Sequence, residues 1–427
     1  MPAKRIAFTF AGRQRYMESH ARFMREAIRR RIIDEWHIWD FARNEGDALW
    51  LYREFGNRQW LVTGPDSSEY QQILSQPQTA AKIWISALHD AHIRISMQSG
   101  RIYEWVIGAF NNQRCILREF DSARDYVEHA APKHSWIGGL PRSEFLMCEI
   151  DTQDSMLALI HSGLPGLMHA EPIGDDFILD IAVRTGYGAR GWWSLSSPKD
   201  SAISLITTGL SGYTGFREAY LAYSDQRFSD CHFLKLDDDI VFIDLDRLDD
   251  MLIFSSEKAP HDIVSANVVN NGVCAYFQAE KGYFPALPVP FEYPPNGLCG
   301  TLWESAVKCA SIHRYFGRHY PAIRHRASSD EIATLLPDPD RFSINFISFG
   351  HSLFLRLALA YISDPALVDD EAIITQSLPS LFGLRKYVYN ALLVAHLSFY
   401  SQESGIDVEA LIGMYTDLEQ ASLLDNV

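Results

Sequence analysis

The most constraining stretch of the sequence is LKLDDDIVFID, residues 234–244, in which three consecutive aspartates stand between two hydrophobic runs. The apolar residues before the aspartates predict a buried strand that ends where Asp237, Asp238 and Asp239 begin. Adjacent anions repel one another unless a positive charge holds them, and residues two apart in an extended segment point to the same side. Asp237 and Asp239 can therefore share one cation, for which Mg²⁺ or Mn²⁺ would suit oxygen ligands. A solvated acidic loop is the alternative interpretation.

Length and charge bound the class of protein. A chain of 427 residues exceeds what one hydrophobic core usually serves, so two domains are expected. A hydrophobic fraction of 47% is ample for globular cores. The formal net charge of -16 would repel phosphate backbones and anionic lipids, so no nucleic-acid partner is expected.

Compartment and covalent chemistry are predicted from what the sequence lacks. The apolar run at residues 6–11 is too short for a signal-peptide core, and no window predicts an integral membrane segment. The six cysteines are scattered without CxxC pairs, which argues against a zinc site or a disulfide scaffold. A cytoplasmic location is the expectation.

The first segment predicts an α/β pattern. A strand over 5–10, a helix over about 16–31, a second strand over 34–39 and a helix over 44–55 imply a parallel sheet with right-handed crossovers. Nucleotides bind such sheets at the carboxyl ends of strands, which is where Ala11, Gly12 and Arg13 fall. Gly12 would allow close backbone approach and Arg13 or Arg15 could pair with a phosphate, although a plain strand-to-helix turn explains the glycine equally well.

The pattern changes from residue 57 to residue 199. Short alternating runs with turns between them predict an all-β sandwich or barrel, and the α/β pattern resumes at 203–207. The predicted organisation is therefore a discontinuous α/β domain, 1–56 and 200–427, interrupted by an inserted β-sandwich over 57–199.

The inserted segment also resembles a known family. DAHIRISMQSGRIYEWVIGAFNNQRCILRE (90–119) and AVRTGYGARGWWSL (182–195) are similar to the farnesoic acid O-methyltransferase-like domain, an all-β module. No glycine-rich S-adenosylmethionine loop accompanies them, so methyl transfer is not expected. The expected role is instead assembly or the binding of a ligand such as a glycan. Aromatic faces stack on sugars, and the candidate contact residues are Trp84, Tyr103, Trp105, Trp136, Tyr187, Trp192 and Trp193. The alternative is that most of these rings fill the core.

Two later stretches carry further candidates. Asn267, Asn270 and Asn271 follow a predicted strand and could hydrogen-bond sugar hydroxyls or stabilise a turn. Asp370 and Glu371 precede a predicted helix, where they could complement its dipole or act as a general base. His396 is predicted on a helical face with Leu392 and Leu393, where spacing alone favours a core histidine.

The whole pattern of AGR, KLDDDIVFID, SANVVNN, DDE and AHLSFYSQ resembles the GT-A glycosyltransferases over roughly residues 4–56 and 200–420. The resemblance implies a DxD element, with Asp237, Asp239 and His396 as metal ligands for Mn²⁺ or Mg²⁺. It also implies a nucleotide-sugar donor, UDP- or GDP-linked, and a glycan or other hydroxyl acceptor. Lys235 and Asp238 would then contact the donor's ribose, sugar or phosphate. In an inverting mechanism, Asp370 would be the first choice for the base and Glu371 the second.

The predicted fold class is thus an α/β, GT-A (Rossmann-like) domain interrupted by an all-β sandwich, with a homo-oligomer possible. Two other functions remain open from the sequence. One is a non-catalytic carbohydrate-binding protein in which the sandwich acts, and the other is a nucleotidyl- or phosphotransferase that uses the same carboxylates.

Overall fold

The computed structural model describes residues 3–65, 69–120, 132–137, 139–141, 145–152, 156–161, 168–197, 201–208, 210, 212–285, 291–297, 299–337, 340–364 and 366–424. Within them the chain forms two compact units. Unit 1 comprises Met1–Leu51 and Phe228–Val427, and unit 2 comprises Tyr52–Arg227.

The strands are numbered in chain order. They are β1 (Lys4–Ala11), β2 (Glu35–Asp40), β3 (Gln59–Thr63), β4 (Gln71–Leu74), β5 (Ala80–Ala87), β6 (Ala91–Met97), β7 (Ile102–Gly108), β8 (Arg114–Phe120), β9 (His134–Ile137), β10 (Leu146–Asp151), β11 (Met156–His161), β12 (Met168–Pro172), β13 (Ile178–Thr185), β14 (Gly191–Ser194), β15 (Ile203–Thr207), β16 (Cys231–Asp237), β17 (Ile240–Ile243), β18 (Ile263–Val269), β19 (Ala333–Leu335), β20 (Phe346–Gly350) and β21 (Lys386–His396).

The helices are numbered in the same way. They are α1 (Gln14–Arg29), α2 (Glu45–Phe55), α3 (Ala109–Asn112), α4 (Gly212–Ala222), α5 (Leu245–Ile253), α6 (Gly272–Glu280), α7 (Thr301–Glu304), α8 (Ala306–Ser329), α9 (Ser352–Ser363), α10 (Asp370–Ala372), α11 (Leu378–Phe382) and α12 (Val408–Leu424).

Unit 1 is built on a mixed sheet with helices. Its strand order is β2-β1-β16-β20-β18-β21-β17, and the short β19 also pairs with β21. β1 pairs in parallel with both β2 and β16, as the sequence predicts for these segments, whereas β20 runs antiparallel to β16 and β18. The register sets Phe10 opposite Asp237, so the end of β1 lies beside the end of β16.

Unit 2 contains a β-sandwich. One sheet has the order β12-β11-β10-β5-β14-β3-β15, and the other has the order β4-β13-β6-β7-β8-β9. Alternate residues of the two sheets share one core, in which Ile83, Ile85, Ile93 and Ile95 are fully buried. This period-2 burial explains why the sequence alternates here, since each sheet hides one face and presents the other.

The unit boundaries differ in position from the predicted domain boundaries. The predicted insertion runs over 57–199, whereas unit 2 runs from Tyr52 to Arg227. Residues 200–227 group with the sandwich because β15 pairs in parallel with β3. The predicted strand over 203–207 itself is present as β15.

The predicted helical setting of His396 is wrong. Residues 386–396 form strand β21, which pairs in parallel with β18 and antiparallel with β17. Nine of its eleven residues are buried. A strand covered on both faces shows a continuous apolar run instead of alternation, and such a run cannot be distinguished from a buried helix by periodicity.

Three of the seven aromatic candidates in the sandwich fill its core. Tyr103, Trp105 and Trp193 are fully buried there, and Trp192 is 2% exposed. Trp84 and Trp136 are half-buried, whereas Tyr187 is 73% exposed. The six cysteines are unpaired thiols in this structure. In the described part of the chain, no helix combines the length and apolarity that crossing a bilayer requires.

Candidate metal centre

The aspartates at 237–239 form the tight connection between β16 and β17. β16 is buried along its length up to Leu236, so the chain emerges from the core at Asp237, as the sequence predicts. The connection is held from two sides by backbone hydrogen bonds. The Asp237 N–H donates to the Asn345 carbonyl at 2.9 Å, and the Leu397 N–H donates to the Asp239 carbonyl at 2.9 Å. These bonds fix where the carboxylates point.

Three side chains with metal-binding atoms meet at this connection. One ligand atom from each of Asp237, Asp239 and His396 can be chosen so that all lie within 4.8 Å of one another. His396 reaches the site because it is the last residue of β21 and pairs with Ile240 of β17. Asp239 and His396 are buried, and the Asp237 carboxylate is partly exposed. Strand β21, for which the sequence pattern wrongly predicts a helix, therefore supplies the third metal-binding side chain, His396.

The unsatisfied atoms of the cluster fit a divalent cation. Asp239 Oδ1 lies 3.2 Å from His396 Nε2, yet this carboxylate oxygen and His396 Nδ1 are both buried without a hydrogen-bond partner among the described residues. Unpaired buried polar atoms are costly, and a missing ion is one explanation for them. Two carboxylates and an imidazole are a donor set suited to Mn²⁺ or Mg²⁺.

Arg13 places a positive charge beside Asp238 and Asp239. Its guanidinium donates to Asp238 Oδ1 at 2.5 Å, to Asp239 Oδ2 at 2.8 Å and to Glu403 Oε1 at 2.6 Å. The Gly12 N–H donates to Asp238 Oδ2 at 2.9 Å. The sequence singled out Gly12 and Arg13 as contacts for a phosphate, and both lie against Asp238.

Burial and charge shift the pKa values of these groups in opposite directions. Burial raises the pKa of Asp238, although Arg13 opposes that rise. Burial acts in the same direction on Asp239, but the charges of His396 and Arg13 outweigh it and hold the pKa of Asp239 below its ordinary value. Burial would lower the pKa of His396, yet Asp239 raises it overall. The centre therefore favours a charged Asp239.

Asp237 is oriented by two polar side chains. Lys235 Nζ donates to Asp237 Oδ1 and also to the Ile344 carbonyl, the latter at 2.9 Å. Asn345 Nδ2 donates to Asp237 Oδ2 at 2.9 Å, and Asn345 in turn accepts from Asn271 Nδ2 at 3.1 Å. Burial would lower the pKa of Lys235, but Asp237 raises it overall, so the lysine stays charged.

Glu371 lies in a second acidic group next to this network. Its Oε1 accepts from Arg341 Nε at 2.7 Å, and its Oε2 accepts from the Ile344 N–H at 3.4 Å. Burial raises the pKa of Glu371 to about 7, with Arg341 opposing the rise. Because the Ile344 carbonyl accepts from Lys235, the backbone of this single residue links Glu371 to the lysine that holds Asp237.

The acidic residues at 369–371 divide between capping and other contacts. Asp369 caps α10 by accepting from the Ala372 N–H at 3.0 Å. Asp370 accepts from the Glu371 N–H at 3.0 Å and stands in the first turn of the same helix. Helix capping thus accounts for Asp369, while Glu371 is held by Arg341.

The remaining predicted residues are used inside the fold. Asn267 accepts from Gln278 Nε2 at 2.7 Å and donates to the Asn390 carbonyl at 3.1 Å. Asn270 donates to Gln402 Oε1 at 3.0 Å and adopts a left-handed φ of 66°. Asn271 also caps α6, and Ala11 is a buried residue at the end of β1. The metal-binding cluster contains none of these four residues.

Sequence reasoning missed three residues that complete the site. Asn345 precedes β20, Arg341 lies in the loop before it, and Glu403 follows the C-terminal strand. Each contacts a partner that is distant in sequence, up to 390 residues away for Arg13 and Glu403. A polar residue directly before the apolar run FISF was the local signal available for Asn345.

No protein-family model matches the chain, and no curated protein matches it. Among solved structures, the chain is similar to galectin LEC-6 of Caenorhabditis elegans, with 10% identity, a TM-score of 0.21 and coverage of 32% of this chain and 94% of that chain. It is also similar to CG-16, a homodimeric agglutinin from chicken liver, with 16% identity, a TM-score of 0.18 and coverage of 30% and 92%. A third is a prokaryotic β-1,3-1,4-glucanase (lichenase) derived from a mouse hindgut metagenome, with 10% identity, a TM-score of 0.19 and coverage of 31% and 76%. At these TM-scores the similarities carry no argument about function.

Proposed function

We propose that unit 1 is a metal-dependent glycosyltransferase that uses a nucleotide-sugar donor. The observation that carries the proposal is the convergence of Asp237, Asp239 and His396 at the carboxyl end of β16, beside the carboxyl end of the parallel strand β1. Ligands of α/β sheets bind at that edge. The GT-A resemblance of LKLDDDIVFID, with the histidine of the AHLSFYSQ stretch, supplies the reaction class.

The role of the cluster follows from the charge of the donor. Asp237, Asp239 and His396 would hold a divalent ion, which when bound would neutralise a diphosphate and stabilise it as a leaving group. Asn345 and Lys235 position Asp237, so they act through the carboxylate instead of touching the reacting atoms. Arg13 is already the cation of this edge and can contribute to diphosphate binding.

Glu371 is the better candidate for the general base if the transfer inverts the anomeric centre. A carboxylate that takes a proton from an acceptor hydroxyl works best with a pKa near the operating pH, and burial raises the pKa of Glu371 to about 7. The sequence alone favours Asp370 over Glu371 as the base. Glu371 becomes the first candidate because of this pKa and because Arg341 holds it in a fixed orientation.

Ligand-induced thermal stabilisation tests the proposal. The full chain is heated with each of UDP, GDP, CDP, ADP and dTDP, with and without Mn²⁺. A ligand at about a hundredfold over its Kd adds roughly 2.7 kcal/mol to the stability of the native state. The variant Asp237→Asn/Asp239→Asn removes two anionic ligands, and Asp250→Asn, on the surface of α5, is the matched control.

We expect one nucleotide to raise the temperature of thermal unfolding in a manganese-dependent way. This increase should be present in Asp250→Asn and absent in Asp237→Asn/Asp239→Asn. Turnover with the corresponding nucleotide sugar must then release nucleoside diphosphate. Release of pyrophosphate would identify a nucleotidyltransferase instead. No shift with any nucleotide would refute the assignment and leave carbohydrate binding as the alternative.

A further inference from the structure

Unit 2 contains a pocket that is separate from the metal centre in both sequence and unit. Its volume is about 340 Å³, within the range of roughly 300–1,000 Å³ that is usual for small-molecule sites. It opens between turns of the six-stranded sheet, and its polar lining comes from His89, Asp90, His92, Asn111 and Arg118.

The turns around the pocket hold residues in an unfavourable backbone conformation. Asp90, Phe110, Asn111 and Tyr187 all line the pocket and all have a left-handed φ, between 48° and 58°. This conformation costs energy for residues other than glycine and persists where the surrounding structure imposes it, often at ligand sites. Two of these residues, Phe110 and Tyr187, are 64% and 73% exposed.

A buried charged network forms the base of the pocket. Glu104 is fully buried on β7, and its carboxylate accepts from His92 Nδ1 at 2.9 Å and from the guanidinium of Arg118. His92 and Arg118 stand on the strands on either side of β7. Because Glu104 fixes both neighbours, their remaining donor and acceptor atoms are presented in a set orientation.

One atom of this network is unsatisfied. His92 is 4% exposed and lines the pocket, but its Nε2 has no hydrogen-bond partner among the described residues. Gly186 lies beside it, and a Cβ at that position would come within 3.1 Å of Nε2. A buried imidazole nitrogen without a partner is costly, and a ligand hydroxyl is a suitable partner for it.

The charge of the pocket favours an uncharged ligand. Among the residues that line it, Asp90 and Arg118 carry opposite charges, and Glu104 accepts from Arg118. An anion would find the arginine already paired, and a cation would meet the same guanidinium. A molecule with many hydroxyl groups uses fixed donors and acceptors together, and its C–H faces stack on exposed aromatic rings.

We propose that the pocket bounded by His92, Phe110, Arg118 and Tyr187 binds a neutral saccharide, with His92 Nε2 bonded to a sugar hydroxyl and the Tyr187 ring against a sugar face. The sequence marked Tyr187 among seven aromatic candidates, but it gave no sign of the His92–Glu104–Arg118 network. This site is independent of the proposed transferase activity, because it lies within unit 2 and uses none of the residues of the metal centre.

Binding of neutral mono- and disaccharides to the full chain tests the proposal. Galactose, glucose, mannose, N-acetylglucosamine, lactose and cellobiose are screened by saturation-transfer NMR in EDTA, with glucuronic acid as the charged comparison, and the Kd of each binder is measured by calorimetry. Tyr187→Asn removes the ring but keeps a residue that tolerates a left-handed φ, and His92→Gln keeps a donor for Glu104. Tyr52→Asn, at a residue 60% exposed outside the pocket lining, is the matched control.

We expect at least one neutral saccharide to bind, and both pocket variants to weaken it by at least about fivefold. Tyr52→Asn and Asp237→Asn/Asp239→Asn should bind as the wild type does. Absence of binding by every saccharide, or equal binding by both pocket variants and wild type, would overturn the proposal. Preference for glucuronic acid over all neutral sugars would overturn the assignment of a neutral ligand.

Discussion

Replacement of Glu371 by glutamine is expected to make the protein's stability less dependent on pH. Burial raises the pKa of Glu371 from 4.5 to about 7. The native state then binds a proton that the unfolded state has released, so stability falls as pH rises from about 4.5 to about 7 and the loss is complete above that range. A shift of this size corresponds to about 3 kcal/mol in total.

The part of this loss within a practical pH range can be measured. Between pH 5.5 and 8.5, linkage predicts that wild type loses about 2 kcal/mol relative to Glu371→Gln. Glutamine can still accept from Arg341 Nε, and Arg341 keeps its ion pair with Asp369 at 2.8 Å. The variant should therefore retain the local structure and lack only the titration.

Urea unfolding in EDTA at pH 5.5, 7.0 and 8.5 gives the required difference. A chain with two units can unfold in more than one step, so the free energy compared is that of the transition that Glu371→Gln shifts. Glu26→Gln is the control, because its hydrogen bonds to Arg29 and Arg30 hold the pKa of Glu26 at about 2. The pKa of Glu26 lies below 5.5 in both the native and the unfolded state. The effect of Glu26→Gln on the free energy of unfolding should therefore be constant from pH 5.5 to 8.5. A difference between wild type and Glu371→Gln that does not change with pH would refute the reasoning.

Four further substitutions have expected outcomes. Arg13→Met leaves two buried carboxylates without their cation and should destabilise the metal-free protein by about 3 kcal/mol. Saturating Mn²⁺ should then add more stability to this variant than to wild type, and equal effects of Mn²⁺ on the two proteins would contradict this prediction. Asn345→Ala removes the donor to Asp237 and should weaken Mn²⁺ binding about 10- to 100-fold by calorimetry, and unchanged affinity would count against a positioning role. Gly297→Ala should cost at least about 2 kcal/mol in urea unfolding, because its Cβ would lie 1.8 Å from the Arg341 carbonyl oxygen at a φ of 75°. Gly383→Ala, at a φ of 66° with open space around the added Cβ, should cost about 1 kcal/mol. A similar loss of stability in the two variants would show that the structure relieves the clash at position 297.

The acidic connection was predictable because its signals are local. Eleven consecutive residues, 234–244, contain an apolar run that ends at three carboxylates, and they predict the end of a strand there. Gly12 and Arg13 likewise stand directly after the apolar run of the first predicted strand. The parallel pairing of β1 with β2 also follows from neighbouring segments. Position 396 was harder, because β21 is buried on both faces and its apolar run lacks the alternation that identifies a strand.

Contacts between distant segments were not predictable in the same way. Asn345 reaches Asp237 across 108 residues, and the His92–Glu104–Arg118 network depends on the register of three strands. The three asparagines show the converse. Their amide side chains are compatible with sugar binding and with turn stabilisation, and the fold uses Asn267 and Asn270 as internal hydrogen-bonding groups and Asn271 as a helix cap that also bonds to Asn345.

The bonding of Arg13 explains how the acidic cluster of the candidate metal centre is stable without a metal ion. Three consecutive carboxylates, two of them buried, would repel one another without compensation. Lys235 compensates the negative charge of Asp237, and Arg13 compensates those of Asp238 and Asp239. The guanidinium of Arg13 also donates to Glu403. A divalent ion on Asp237, Asp239 and His396 would bring a second cation close to Arg13, which weakens the bond to Asp239 but leaves those to Asp238 and Glu403. Metal affinity should therefore depend on Glu403, which touches no proposed ligand, because Arg13 has fewer other partners in the metal-bound arrangement and relies more on Glu403 there.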